Sequence, residues 1–353
     1  MSATVRLVVD LSSAGAAPSE PHVNLERLSA GWRGAFDATE DALVAARFDL
    51  APQTLREWAD RLREERAATA RVFEQLARQK GVTDRFVHLM IPRAQLRRLL
   101  GLPTDLTACV FSLEDVLISP DIHMAAWEET FDAFIFARVE RTGGGFPPFN
   151  PLTDYRLYLD GRPRLEGVRD FLASRGISLP EGDPADAPGA ETVHGLANRK
   201  NAALLRRLHI QGVTASAGAR RYIELVRELG VRNAAISASA NTETMLERAG
   251  LATLIEGRVD GTTIATEQLL AKPSPDTLLA ACKQLGVAPE QSAAFETTLA
   301  GVAAARAGGF ELVVGVGRAG QREALRAQGA DLVVGDLAEL LERSLDHHTQ
   351  TSY

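Results

Sequence analysis

The sequence predicts an α/β protein on a doubly wound parallel sheet, with a helical insertion after the first strand and an all-helical module before it. Three observations predict this. From Thr107 onward short apolar runs alternate with amphipathic segments. Glycines stand at the ends of those segments. One long, mostly helical interval separates the first apolar run from the rest. Parallel strands need a crossover, usually a helix, so this alternation with glycine helix stops is their signature.

Taken in order, residues 1–22 open with the alternating "TVRLVVDL" and turn Ala/Ser/Pro-rich, which predicts a tail or short strand and a linker. Residues 23–103 predict a helical N-terminal module. Leu25, Leu28, Trp32, Phe36 and Leu43 recur at helical spacing. Pro52 opens a second helix, with Leu55, Trp58, Leu62, Val72, Phe73 and Leu76 on its apolar side and Gly81 as its stop. A third, "RAQLRRLL", follows Pro92 and ends near Gly101. Nothing in this module looks catalytic. Packing, homo-oligomerisation or docking of a protein partner is its expected use.

The core is expected over residues 104–120 and 215–345. Its strands are "TACVFSL" (107–113), "NAAISAS" (233–239), "SAAFE" (292–296), "LVVGVG" (312–317) and "DLVVGD" (331–336), and amphipathic segments lie between the later ones. Residues 121–214 form the insertion. Placed after the first strand, it would stand over the carboxyl ends of the strands, where such sheets bind ligands, and could close as a lid. Residues 346–353, with His347 and His348, predict a disordered tail.

Composition narrows the function. At 353 residues, two or three domains fit, at roughly 150 residues each. A net charge of -7 argues against a nucleic-acid surface. Cys109 and Cys282 sit in unrelated contexts and suggest neither a disulfide framework nor a metal knuckle. The first residues make a poor signal peptide, broken by Arg6 and Asp10. No apolar run approaches the roughly 20 residues of a membrane span. The expectation is a soluble, acidic, cytoplasmic protein without a membrane partner.

Phosphoryl transfer on such a sheet needs a nucleophilic carboxylate at the first strand end and an acid two residues on. It needs a hydroxyl and a lysine for the transferring oxygens, and an acidic pair at a later strand end for Mg²⁺. The chain has the framework for each. Ser112 and Glu114 end the first strand, Ser237 ends the second, Lys272 lies in "AKPSPD", and Glu296 and Thr297 follow a later strand. Each also has a plainer reading: Ser237 as a turn residue, Lys272 as a helix-start residue and Glu296 as a helix cap.

In this order the segment 107–343 resembles the haloacid-dehalogenase superfamily, in its β-phosphoglucomutase-like branch. The resemblance implies a Rossmann-like core with a helical cap inserted at 121–214. "FSLEDV" stands where that family has Phe-Asp-Leu-Asp-Gly-Val, so Ser112 takes the nucleophile position and Glu114 the acid/base position. Ser237 and Asn241 match the second motif, Lys272 the third, and Glu296-Thr297 the acidic pair of the fourth, with only the first acid kept. In the cap, His123, Arg164, Lys200 and Asn201 fit substrate contacts, with Arg164 placed to grip a distal phosphate.

The departures fall on one mechanism. A serine hydroxyl is far less acidic than a carboxyl, and nothing else in the motif activates it. Ser112 and Thr297 each remove a Mg²⁺ ligand, which leaves Glu296 as the main carboxylate and Mg²⁺ weak or absent. Glu114 is one methylene longer than the usual acid, and Asp115 replaces a glycine. The leading expectation is a catalytically degenerate relative that binds a phosphorylated metabolite in a sensing, scaffolding or regulatory role. An active phosphatase or phosphomutase with a divergent site is the second, and a structural oligomerisation protein the third.

Overall fold

The computed structural model describes residues 4–10, 22–24, 86–92, 97, 100–317 and 319–343. In chain order the strands are β1 (Thr4–Asp10), β2 (His22–Asn24), β3 (Phe86–Pro92), β4 (Ala108–Ser112), β5 (Arg232–Ile236), β6 (Gly257–Val259), β7 (Ser292–Glu296), β8 (Leu312–Val316) and β9 (Leu332–Val334). The helices are α1 (Asp121–Thr142), α2 (Arg164–Ser174), α3 (Val193–Gln211), α4 (Ala219–Glu228), α5 (Thr242–Arg248), α6 (Gly261–Glu267), α7 (Asp276–Leu285), α8 (Leu299–Ala307), α9 (Arg322–Ala327) and α10 (Leu337–Arg343). The chain divides into two compact units. One comprises Met1–Thr107, Ala217–Val231 and Asp336–Tyr353, the other Ala108–Ser216 and Arg232–Gly335.

The first unit corrects an expectation. Its three-stranded sheet has the order β2-β1-β3, with β1 parallel to β2 and antiparallel to β3. β3 lies in a stretch expected to be wholly helical. Its sequence, "FVHLMIP", is apolar and too short for a helical repeat to show, and pairing along all of β1 decides its state. The helices expected between residues 25 and 81, most of the one expected after Pro92, and the tail with His347 and His348 lie outside the described residues. In the same unit Tyr222 is fully buried on α4, and its hydroxyl donates to the Leu100 carbonyl at 3.0 Å.

The second unit holds a six-stranded parallel sheet in the order β6-β5-β4-β7-β8-β9. β4, the first of them in the chain, lies at the centre beside β7. The chain winds out through β5 and β6, then returns to β7 and winds the other way. The reversal between β4 and β7 opens a crevice at their carboxyl ends, where such sheets place ligands. All residues of β4 and β7 are buried, and alanines at Ala108, Ala234, Ala293 and Ala294 keep the covering helices close. Two elements were not expected, β6 and α6. β6 is only three residues long, too short for a periodic signal.

The insertion has a core of its own. Trp127, Phe131, Phe149 and Phe171 pack with Leu196, and the Phe131 and Phe171 rings stack at 3.8 Å. α1 ends at Gly143, whose left-handed conformation lets its N–H reach the Val139 carbonyl. Thr192 caps α3 by accepting from Gly195 N–H at 2.9 Å. A five-residue π-turn, Tyr155–Leu159, closes with Asp160 N–H donating to the Tyr155 carbonyl, and it delivers Asp160 and Gly161 to the strand ends.

Candidate functional site

Sheet register assembles the site. Phe111 pairs with Phe295, and their rings stack at 4.5 Å, so the next residues, Ser112 and Glu296, stand side by side. Ser112 Oγ donates to Glu296 Oε2 at 2.8 Å. Lys272 Nζ lies 2.8 Å from that oxygen, 2.6 Å from Oε1 and 3.1 Å from Ser112 Oγ. The Oε1 contact is an ion pair by distance, but its angles do not make it a hydrogen bond. Glu296 is fully buried, so its charge is answered by Lys272 at close range. The plainer readings of two residues give way here. Thr298, not Glu296, caps α8, accepting from Gly301 N–H at 3.0 Å, and α7 begins four residues after Lys272.

On the other side of β4, Ser112 pairs with Ile236, which brings Glu114 to Ser237. Ser237 Oγ donates to Glu114 Oε1 at 2.8 Å and accepts from Ser239 N–H at 3.0 Å, serving both the turn and the carboxylate. Burial raises the Glu114 carboxyl above its ordinary value, opposed by the Ser237 hydrogen bond. Asp115, in the glycine position of the motif, sits at φ 62. The turn does require a left-handed residue, and aspartate is among the few non-glycine types that tolerate it.

The insertion contributes a second group. Lys200 Nζ lies 2.9 Å from His123 Nδ1, and His123 Nε2 lies 3.2 Å from Met245 Sδ and 3.5 Å from Glu114 Oε1. Burial, then the charges of Lys200 and Arg164, push His123 well below its ordinary value. The charged ring is therefore disfavoured, which weakens the contact with Glu114 as an ion pair, and in the neutral ring Nδ1 can accept from the Lys200 ammonium when Nε2 carries the proton. Lys200, buried over the Trp127 ring at 5.1 Å, is pushed down to about 7 by burial and by Arg164. Asn241 Nδ2 donates to Asn201 Oδ1 at 2.9 Å and ties α5 to α3.

These residues line two adjoining cavities. The larger, about 330 Å³, is bounded by Glu114, His123, Arg164, Lys200, Asn201 and Asn241, among others. Its size is at the lower end for small-molecule pockets, about 300–1,000 Å³. The smaller, about 40 Å³, lies among Ser112, Ser237, Lys272, Thr277, Thr297 and Asp160. Glu114 and Gly161 line both. Every residue picked out from the sequence thus lines one or other cavity, except Glu296, which lies beneath the smaller. Two groups were missed. Asp160 precedes the glycine of "LDGRP" like any turn aspartate, and Thr277 is one helix-start residue among many. Among the described residues, no group of three or more His, Cys, Asp or Glu is arranged to hold a metal ion. No helix among them is long and apolar enough to cross a membrane.

A family model described as a haloacid dehalogenase-like hydrolase matches residues 106–309. A β-phosphoglucomutase of Mycobacterium bovis is 49% identical over 248 residues, covering 69% of this chain and 95% of that protein. The crystal structure of CbbY from Rhodobacter sphaeroides in complex with phosphate shares the fold at TM-score 0.52 and 24% identity, covering 68% of this chain and 99% of that one. A β-phosphoglucomutase from Clostridium difficile does so at TM-score 0.52 and 21% identity, covering 67% and 93%. The strand order, the strand-end constellation and these likenesses agree: the chain belongs to the haloacid dehalogenase-like hydrolases, in their β-phosphoglucomutase-like branch.

Proposed function

We propose that this protein binds a phosphorylated metabolite of the sugar-phosphate class between a helical cap and the core, and that it has lost aspartyl-phosphate catalysis. The observation that carries this is Ser112. Its hydroxyl occupies the strand-end position beside Lys272 and Glu296 where the family's mechanism needs a carboxylate. An alcohol there can hydrogen-bond a phosphate oxygen but cannot form the reactive acyl phosphate. Lys272, held between Ser112 and Glu296, would donate an N–H to a phosphate oxygen. The cap groups, His123, Arg164, Lys200, Asn201 and, from the core, Asn241, would meet the sugar and any distal phosphate. The 49% identity to a β-phosphoglucomutase supports the ligand class. The role would be sensing, scaffolding or regulation in the cytoplasm, with the N-terminal residues available for a protein partner or a second copy.

Mg²⁺, which the family implies, does not fit these residues. Ser112 and Thr297 are neutral, and Glu296 is already engaged by Lys272 and Ser112. No step is therefore assigned to a metal.

One observation favours a second reading, an active divergent phosphatase. Ser112 Oγ donates to a carboxylate that could accept its proton. Against it, the same carboxylate is held by Lys272, which weakens it as a base. Incubation with Mg²⁺ and a panel of sugar phosphates, β-glucose 1-phosphate among them, followed by ³¹P NMR and thermal unfolding, separates the readings. The expected result is a raised Tm without turnover. Turnover lost in Lys272→Ala would establish the active reading. A Tm indifferent to every ligand would leave a structural role.

A further inference from the structure

We infer that this site holds its phosphate group without a divalent cation, with the Lys272 ammonium and the hydroxyls of Ser112, Thr277 and Thr297 meeting the phosphate oxygens directly. The inference rests on the reading that a phosphate ester binds here, and it departs from the metal dependence the family implies.

The donor set carries it. Both oxygens of Glu296 lie within 2.8 Å of Lys272 Nζ, and one also accepts from Ser112. A cation bound there would have to displace an ammonium from a fully buried carboxylate. The neighbouring Thr297 offers a hydroxyl proton to an oxyanion, Ser112 can do so in exchange for its bond to Glu296, and neither supplies the carboxylate that Mg²⁺ prefers. The small cavity is lined by just these groups. At about 40 Å³ it exceeds the roughly 10–15 Å³ that a single water needs, so it is a real, polar-lined space at the strand ends. Thr277 is 5% exposed, lines this cavity, and its hydroxyl has no hydrogen-bond partner among the described residues. A buried hydroxyl without a partner is costly, and an acceptor oxygen in the cavity would satisfy it.

Charge balance agrees. Two carboxylates with one divalent cation carry the same net charge as two hydroxyls with none, so a phosphate meets a similar field in either arrangement. Glu114 and Asp160 line the same cavity and would repel an anion. Both carboxyls are raised from their ordinary values, first of all by burial, which lessens that repulsion.

The test uses the full chain and inorganic phosphate as the probe. Phosphate affinity is measured by calorimetry in EDTA and in Mg²⁺, for the unaltered protein and for the double variant Ser112→Asp, Thr297→Asp. The unaltered protein should bind equally in both media, within about twofold, whereas the variant should lose about tenfold in EDTA and regain it with Mg²⁺. Binding by the unaltered protein in Mg²⁺ alone overturns the inference and spares the phosphate reading. Absence of binding in both media overturns the phosphate reading, and the inference with it. Should the variant not fold, a Mn²⁺ titration of the unaltered protein by electron paramagnetic resonance decides the matter. Free Mn²⁺ signal throughout is expected, and stoichiometric capture of one Mn²⁺ at this site overturns the inference.

Discussion

Asp160 lies close enough to Asp115, Glu114 and Glu296 to feel their charge. Its carboxyl is pushed up to about 7, first by burial and then by Asp115 and Glu114, with Lys272 opposing and Glu296 adding. In the unfolded chain the same group titrates near its ordinary 3.8. Between these values the folded protein holds a proton that the unfolded chain has released. Stability therefore falls as pH rises through a window from about 4 to about 7. The displacement bounds the loss at about 4 kcal/mol. Asp160→Asn removes the titration, so urea unfolding at several pH values should show a flatter profile and a more stable protein above pH 7. A decline as steep as in the unaltered protein would mean that Asp160 is not its source.

At the scale of elements, the site depends on how closely α8 approaches the end of β7. Thr298 caps the helix, and Gly301, in its first turn, lies against the Glu296 carboxylate; a methyl group there would overlap that carboxylate. Two effects compete in Gly301→Ala. Helix propensity favours alanine by about 1 kcal/mol. Overpacking against a buried group costs about 1–3 kcal/mol, and here the group cannot move without leaving Lys272. The overlap is with Glu296 Oε2 itself, so the clash falls at the upper end of that cost and should win, giving a net loss of up to about 2 kcal/mol in denaturant unfolding. A stabilised variant would show that Glu296 can move aside.

For the whole molecule, Cys109 in β4 and Cys282 in α7 are buried thiols outside any disulfide, and both belong to the second unit. Burial also raises the Cys282 thiol, which keeps it in its unreactive form. An aromatic disulfide reagent should therefore label neither thiol in the native protein, and both at the rate at which the sheet opens. Reductant should leave the Tm unchanged. Rapid labelling of the native protein would show that β4 or α7 opens on its own, without the rest of the sheet.

The alternation of strand and helix was legible because its signals are local. Glycine stops, apolar runs and helical spacing are properties of a few neighbouring residues. The identities at the strand ends were legible too, so the missing carboxylates at Ser112 and Thr297 could be read in the chain itself. β3 and β6 were not, since a strand's state depends on the partner it pairs with more than on its own seven or three residues. Nor were the Ser112–Glu296 contact, made across 184 residues by sheet register, or the second role of Ser237. Lys200 could be placed among the cap contacts from the chain, but its burial over Trp127 arises only once α3 packs on α1. Asp160 reads as a turn residue until the ends of β4 and β7 surround it with charge. Residue type sets which chemistry a side chain can offer. Burial and the company of charges, which decide whether it offers that chemistry, exist only once distant strands and helices have come together.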